Sequence, residues 1–298
     1  MPTLATMVYG ICMYFKKPCF DSKVVPKCLI SQQEQNKIVP IGFVNLVLKN
    51  GCKYLNLSWT ELEGNLSLKK MPQLKYLDLT MCKAEKEVFE DLLSFCYSLQ
   101  KLSIAYLDIS SSMVNSICYQ NGKVLKILDL CLCKGLNQKS IQIIVRNCFE
   151  LREINLGSTN LTEDTIEDLT KNLTQKIEKI SLGWERSVKD EHIKTLVQRC
   201  WNLSVLNLQC TSITNNSITN IIENLKFTLV ELDVTCLNVG YAKLIELKSM
   251  PKLKVLNCFK LLEHNVYEDL KKNLPQLTYN NPREKWKGWH GRLHIETM

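Results

Sequence analysis

Apolar positions recur along the chain in the order Leu-x-x-Leu-x-Leu, at a nearly constant interval. The clear copies are Leu74-Leu77-Leu79, Leu99-Leu102-Ile104, Leu125-Leu128-Leu130, Leu151-Ile154-Leu156, Ile177-Ile180-Leu182, Leu203-Leu206-Leu208, Leu229-Leu232-Val234 and Leu253-Leu256-Cys258. From Leu99 to Leu229 each copy starts 26 residues after the one before. A weaker copy, Cys52-Leu55-Leu57, precedes them, and a half-copy opens at Leu277. The fourth and sixth positions alternate with outward-facing residues, which predicts a short strand with one buried face. Three- and four-residue apolar spacing between the strands predicts helices over Glu87–Cys96, Ile141–Cys148, Ile166–Leu173, His192–Cys200, Ser217–Leu225 and Val266–Leu274. Thr162-Glu163-Asp164 reads as a helix start, with a capping hydroxyl followed by acids that suit the N-terminal dipole.

No such unit can bury its apolar face alone, so the units must stack. The expected fold class is therefore α/β: a leucine-rich-repeat solenoid, or horseshoe, of about nine strand-helix repeats of ~26 residues. A parallel sheet lines the concave side and the helices lie on the convex side. The expected boundaries are a divergent or poorly ordered N-terminal segment over 1–50, the repeat domain over 51–277, and a C-terminal tail over 278–298. Such a surface binds rather than transforms.

The residue between the two buried leucines of each strand faces the concave wall. In order these are Asn56, Asp78, Ser103, Asp129, Asn155, Ser181, Asn207, Asp233 and Asn257. They are either the small polar residues a crowded wall tolerates or a trough that accepts hydrogen bonds from a bound peptide, with Asn207 and Asp233 among the candidate contacts. Specificity is expected where the repetition stops, just after each strand: Trp59, Trp184 with Glu185 and Arg186, Gln209, and Phe259 with Lys260. Trp184 and Arg186 are of the types enriched among interface anchors; the competing reading packs them along their own loop. Trp201, in a helix-to-strand turn, reads as packing.

Charge and cysteine usage narrow the classes. The formal net charge is +8. Residues 51–277, however, hold 28 basic and 26 acidic residues, so the excess lies at the two ends. That disfavours a nucleic-acid face, which needs bases gathered along one side. Cys96, Cys148 and Cys200 each stand three residues before a repeat's first apolar position, and Cys82 and Cys133 three after a strand's last. Thiols placed this way are small buried apolar groups, and their persistence implies the cytoplasm or nucleus. Cys131 and Cys133 find no partner pair at structural-zinc spacing, and no metal or cofactor is expected. The apolar run Leu4–Phe15 is too short for a bilayer span and lacks signal-peptide flanks. His192, His264, His290 and His294 are scattered, with His192 read as a surface or edge residue. No phosphate loop, metalloprotease motif or nucleophile elbow is present, so an enzyme is not expected.

After Leu277 the repeat stops, and the tail carries Trp286 and Trp289 among basic residues. It reads as a cap on the last repeat or a partner contact in preference to a stacking platform for single-stranded nucleic acid.

RNCFELREINL (146–156) and QRCWNLSVLNL (198–208) resemble the cysteine-containing repeats of F-box receptors. The stretches 74–104, 176–208 and 250–277, together with KGWHGRL (287–293), are similar to the S-phase kinase-associated F-box receptor family. The resemblance implies a non-catalytic substrate receptor of an SCF-type ubiquitin ligase, acting in ubiquitin-dependent protein catabolism and the cell cycle. It implies a Skp adaptor and cullin docked through an F-box, and a phosphorylated protein client held on the concave face and returning tail with a Cks accessory protein. By position the family's basic residue after the strand at Leu182 matches Arg186, while Cys210 and Cys236 stand where the next two strands are expected to carry charges. Residues 1–50 show no F-box pattern. The alternative is therefore a leucine-rich-repeat interaction scaffold without ligase activity. On either reading the partner-binding residues are Trp184, Arg186, Asn207, Gln209, Asp233, Phe259, Trp286 and Trp289.

Overall fold

A computed structural model of the chain describes residues 27–29, 37–65, 73–258 and 264–278. Its strands are β1 (Lys27–Leu29), β2 (Lys37–Pro40), β3 (Tyr54–Asn56), β4 (Thr60–Glu63), β5 (Tyr76–Asp78) and β6 (Lys101–Ser103). They continue as β7 (Ile127–Asp129), β8 (Glu153–Asn155), β9 (Lys179–Ser181), β10 (Val205–Asn207), β11 (Glu231–Asp233) and β12 (Val255–Asn257). Ten of them form one parallel sheet in chain order, with β2 and β4 paired separately. The register follows the repeat: Leu102 faces Leu128, Ile154 faces Ile180, and Leu206 faces Leu232. A one-residue slip would turn the whole apolar set outward, so this register is strongly specified.

The repeated apolar positions from Leu55 to Cys258 form one continuous spine, none more than 3% exposed. Helices Lys86–Ser94, Ser111–Asn121, Gln138–Asn147, Glu163–Asn172, Asp190–Arg199 and Asn215–Leu225 each pack on their sequence neighbours. Most begin one to three residues before the periodic apolar stretch that predicts them, because the first turn is polar and capped. Asn137 accepts from the Ser140 amide at 3.1 Å, and Thr162 from the Thr165 amide at 3.4 Å. Helix Ser111–Asn121 has no counterpart among the predicted helices, since serines and asparagines dilute its Met113, Val114, Ile117 and Cys118 face.

The array reaches further toward the N-terminus than a boundary at residue 51. β1 pairs in register with β3, and helix Ile41–Lys49 buries Ile41, Val44 and Leu48. Pro40, which interrupts the sequence pattern, occupies the N-cap of that helix, where a missing N–H costs little. The sheet therefore has one more strand than the nine that the repeat pattern marks.

The cysteines of the pattern are buried as expected: Cys82, Cys96, Cys133, Cys148 and Cys200. Cys96 donates to the Leu92 carbonyl at 3.1 Å, and burial pushes its thiol up to about 12. His192 corrects the sequence reading. It is buried, and its Nδ1 accepts the Lys189 amide at 3.1 Å, tying the first turn of helix Asp190–Arg199. No helix among the described residues is long and apolar enough to cross a membrane.

Candidate partner-binding face

The parallel ladder does not end with the three-residue strands. Two residues beyond the last buried leucine, another backbone N–H donates to the next repeat. Trp59 donates to the Thr80 carbonyl at 2.9 Å, Tyr106 to Cys131 at 2.9 Å, Leu132 to Gly157 at 2.8 Å, Trp184 to Gln209 at 2.7 Å, and Cys210 to Thr235 at 2.9 Å. Each of these residues, with Met81, Ser158 and Cys236, has positive φ between 54° and 68°. A non-glycine residue in this conformation costs about 1–2 kcal/mol, and it persists here because the ladder bond and the turn over-determine it. The outcome is a row of side chains along one rim of the sheet, one per repeat. Tyr106, Leu132 and Trp184 are exposed, with Trp184 58% accessible. These exposed apolar groups make the rim the candidate contact surface.

The polar row beside this rim has a structural role. Asn56, Asp78, Asp129, Asn155, Asn207 and Asp233 each use Oδ1 to accept the backbone N–H two residues on, at 2.8–3.1 Å. These local bonds stabilise the turn that leads into the left-handed residue. Asn207 and Asp233 are buried, and Asn257 Nδ2 donates to Asp233 Oδ2 at 3.3 Å. Burial pushes the Asp233 carboxyl up, against the pull of its Thr235 and Asn257 donors. Both residues stand on the concave wall as turn-holders, with little surface open to a partner.

Trp184 and Gln209 are joined by the backbone bond between neighbouring rungs, and Arg186 follows two residues after Trp184, its carbonyl accepting from the Ser212 hydroxyl. Arg186 is exposed, and its guanidinium enters none of the ion pairs among the described residues. Gln209 lies across Gly183: a Cβ on Gly183 would sit 2.8 Å from Gln209 Cγ and 3.2 Å from Asn207 Oδ1. A Cβ on Gly157, one repeat earlier, would meet the Gly183 carbonyl at 3.1 Å. The two buried glycines let adjacent rungs of the wall pack closely beside Trp184. At the start of β8 and β9 Lys179 pairs with Glu153 at 2.8 Å. Further toward the N-terminus Tyr54 and Tyr76 stack with ring centroids 4.5 Å apart. Burial lowers the Lys101 ammonium beside them, although Glu153 and Asp78 counter this. Phe259, Trp286 and Trp289 lie outside the described residues.

Two acids whose role the sequence does not reveal hold neighbouring repeats together. Glu185, grouped there with the post-strand contacts, is turned inward and buried. It accepts from the amides of Thr159, Asn160 and Leu161 and the hydroxyl of Thr159, all in the preceding repeat. Burial raises its carboxyl, and these donors pull it part of the way back. Asp190 caps the following helix, taking the amides and hydroxyls of Thr214 and Ser217. Burial raises its carboxyl too, but the hydrogen bonds from Ser217 and Thr214 outweigh it and leave the group below its ordinary range. The only hint in sequence is spacing: both acids lie 24 to 27 residues from their partners, one repeat away.

Among the described residues Glu163, Glu191 and His192 bring possible metal-ligand atoms together. Lys189 Nζ already sits on Glu163 at 2.5 Å, and His192 Nδ1 is engaged by the Lys189 amide, so the group reads as an ion pair beside a helix start. Trp201, expected to pack, is 55% exposed on the opposite edge.

Comparison with known proteins agrees with this architecture. A family model described as the SKP2 LRR domain matches residues 42–283. The chain is 30% identical over 142 residues to bovine (Bos taurus) F-box/LRR-repeat protein 4, a match covering 45% of this chain and 22% of that protein. The chain thus spans about a fifth of that relative's length. Among solved structures, a chain of the yeast Rad7 and Elc1 complex superposes with a TM-score of 0.54 at 16% identity, covering 80% of this chain and 78% of that one. An internalin from Listeria monocytogenes superposes with a TM-score of 0.50 at 14% identity, covering 82% and 77%. At those identities the two likenesses speak to the fold alone.

Proposed function

Because the chain belongs to the SKP2 LRR domain family, we propose that it is the substrate-recognition subunit of an SCF-type E3 ubiquitin ligase. It holds a protein client on the concave wall and the rim beside it, so that the client is ubiquitinated and degraded. One observation supports this reading: a family-assigned repeat array carries the exposed Trp184 and Arg186 just after β9, with the half-buried Gln209 on the next rung. Trp and Arg are the types that dominate binding energy at protein interfaces. An exposed guanidinium that enters no ion pair among the described residues suits a client bearing a phosphate or an acidic side chain. On this reading the protein is a non-catalytic receptor that works in the nucleus or cytoplasm. Its Skp adaptor and cullin join through an F-box, and a Cks protein assists at the phosphorylated client.

A second reading, a repeat scaffold without ligase activity, draws support from the span of the family match. Residues 42–283 are matched as repeat domain, which speaks to client binding and leaves adaptor docking to be supplied by experiment. Affinity purification of the full-length natural product separates the two. Recovery of the Skp adaptor and cullin supports the receptor, and their clean absence beside a captured client supports the scaffold. Within either, Trp184→Ala and Arg186→Glu should each weaken client capture by at least tenfold, about 1.4 kcal/mol or more of a hot-spot contact. Melting should be unchanged, since both side chains are exposed. Equal loss of capture and of melting temperature would assign them a structural job.

A further inference from the structure

The rim that carries Trp184 continues over the next two rungs with Cys210 and Cys236. The β10–β11 register pairs Leu206 with Leu232 and Asn207 with Asp233. The ladder runs on unbroken, with Leu208 N–H to the Asp233 carbonyl at 2.9 Å and Cys210 N–H to the Thr235 carbonyl at 2.9 Å. Cys210 therefore stands opposite Cys236. Both are in the left-handed conformation, φ 55° and 58°, so their Cα–Cβ bonds leave the backbone in the same direction. Cys236 is exposed, Cys210 half-buried, and the structure holds both as thiols.

We propose that Cys210 and Cys236 form a surface dithiol that closes reversibly into a cross-repeat disulfide. Adjacent strands run ~4.8 Å apart, inside the ~4.4–6.8 Å between Cα atoms that disulfides span. Parallel Cβ vectors keep the Cβ atoms near that same spacing, wider than the ~3.8 Å a relaxed bridge prefers. The bond is therefore strained, and strained exposed disulfides are the ones easily reduced again. The co-reactant is a disulfide oxidant such as oxidised glutathione. One thiolate attacks it, releasing a reduced glutathione and leaving a mixed disulfide. The second cysteine then attacks that mixed disulfide, displacing another reduced glutathione and forming the Cys210–Cys236 bond. Two thiols lose two protons and two electrons, and the oxidant takes up both pairs.

Contrast with the interior sharpens the assignment. Cys118 and Cys148 also influence each other, since Cys148 and burial raise the Cys118 thiol, but both are buried where an oxidant has no path. The chemistry stands independently of the proposed function. Only its consequence, that closure stiffens the rim beside Trp184 and alters client capture, rests on that reading.

The test treats the full-length folded protein with oxidised glutathione, blocks remaining thiols, and maps the tryptic peptides, since cleavage after Lys226 separates the two cysteines. The expected result is a protein lighter by two hydrogens, with one cross-linked peptide pair joining Cys210 to Cys236. Dithiothreitol should reverse it, and both Cys210→Ser and Cys236→Ser should lack it. Cys210→Ser should instead retain glutathione on Cys236, which shows that this thiol is reachable, and an unchanged melting temperature shows that the variant is folded. Stable glutathione adducts on the wild type without a cross-link would overturn the proposal, as would a cross-link at Cys118–Cys148 instead. A cross-link that leaves client capture unchanged would retain the dithiol and remove only its link to function.

Discussion

Glu185 offers the sharpest test of how neighbouring repeats are held together. Its carboxylate receives three backbone amides and one hydroxyl from Thr159, Asn160 and Leu161, two of them at 2.9 Å, in a buried site. Glu185→Ala leaves the three amides without an acceptor, while the Thr159 hydroxyl keeps the Leu156 carbonyl at 2.7 Å. A buried unsatisfied donor costs about 1–3 kcal/mol, and water entering the space left by the side chain recovers part of that, so the expected loss is on the order of 3 kcal/mol. Glu185→Gln preserves shape and one oxygen. That oxygen can still serve Thr159 and Asn160, whereas the new NH2 opposes the Leu161 N–H. Its expected cost is about 1 kcal/mol. Urea unfolding supplies the global number, and hydrogen exchange supplies the location. Because stability in such arrays is a sum of repeat and nearest-neighbour contributions, the amides of Thr159, Asn160 and Leu161 should lose protection first. Equal damage from Gln and Ala, or a loss of protection spread evenly over the array, would refute the reasoning.

Two further outcomes follow from the packing and the charges. Leu206→Ala removes a fully buried spine residue between β9 and β11 and should destabilise by about 2–5 kcal/mol in urea titration. Asp190→Asn should alter the acid limb of stability. A carboxyl held below its ordinary value stabilises the fold above the unfolded pKa, about 3.9, and that contribution is lost as the pH falls through the folded value. Wild-type melting should therefore drop more steeply than the variant's below about pH 4, and parallel acid curves would remove Asp190 from the account.

The repeat itself was legible because it is a one-dimensional code. A strand one face deep and a helix with one apolar stripe leave period-two and period-3.6 marks that need no knowledge of the partner repeat. The cysteine positions were legible for the same reason: they recur in phase with the leucines. Helix starts were read late wherever the first turn is polar, as at Gln138 and Asp190. The N-terminal unit was missed because β1 is three residues long and Pro40 looks like an interruption until its place at a helix start is seen.

The candidate face was legible by position and misread by orientation. Trp184 and Arg186 do stand outward, but Glu185 between them turns inward, and adjacent residues at a left-handed turn leave no periodic trace of which way each points. Asn207 and Asp233 were placed on the concave wall correctly. Their engagement in their own turns depends on backbone dihedrals that composition does not encode. Trp201 was read as packing and is exposed, since a turn residue's burial depends on whether any neighbour covers it.

By itself the chain dictated an α/β solenoid, its register, its apolar spine and the rim on which contacts would gather, because each of these is a local period repeated. Which side chains on that rim point outward, which acid binds which neighbouring turn, and that Cys210 stands opposite Cys236 were decided by the stacked array. Those relations join residues one repeat apart in sequence but one strand apart in space, and only folding brings that distance down to a hydrogen bond.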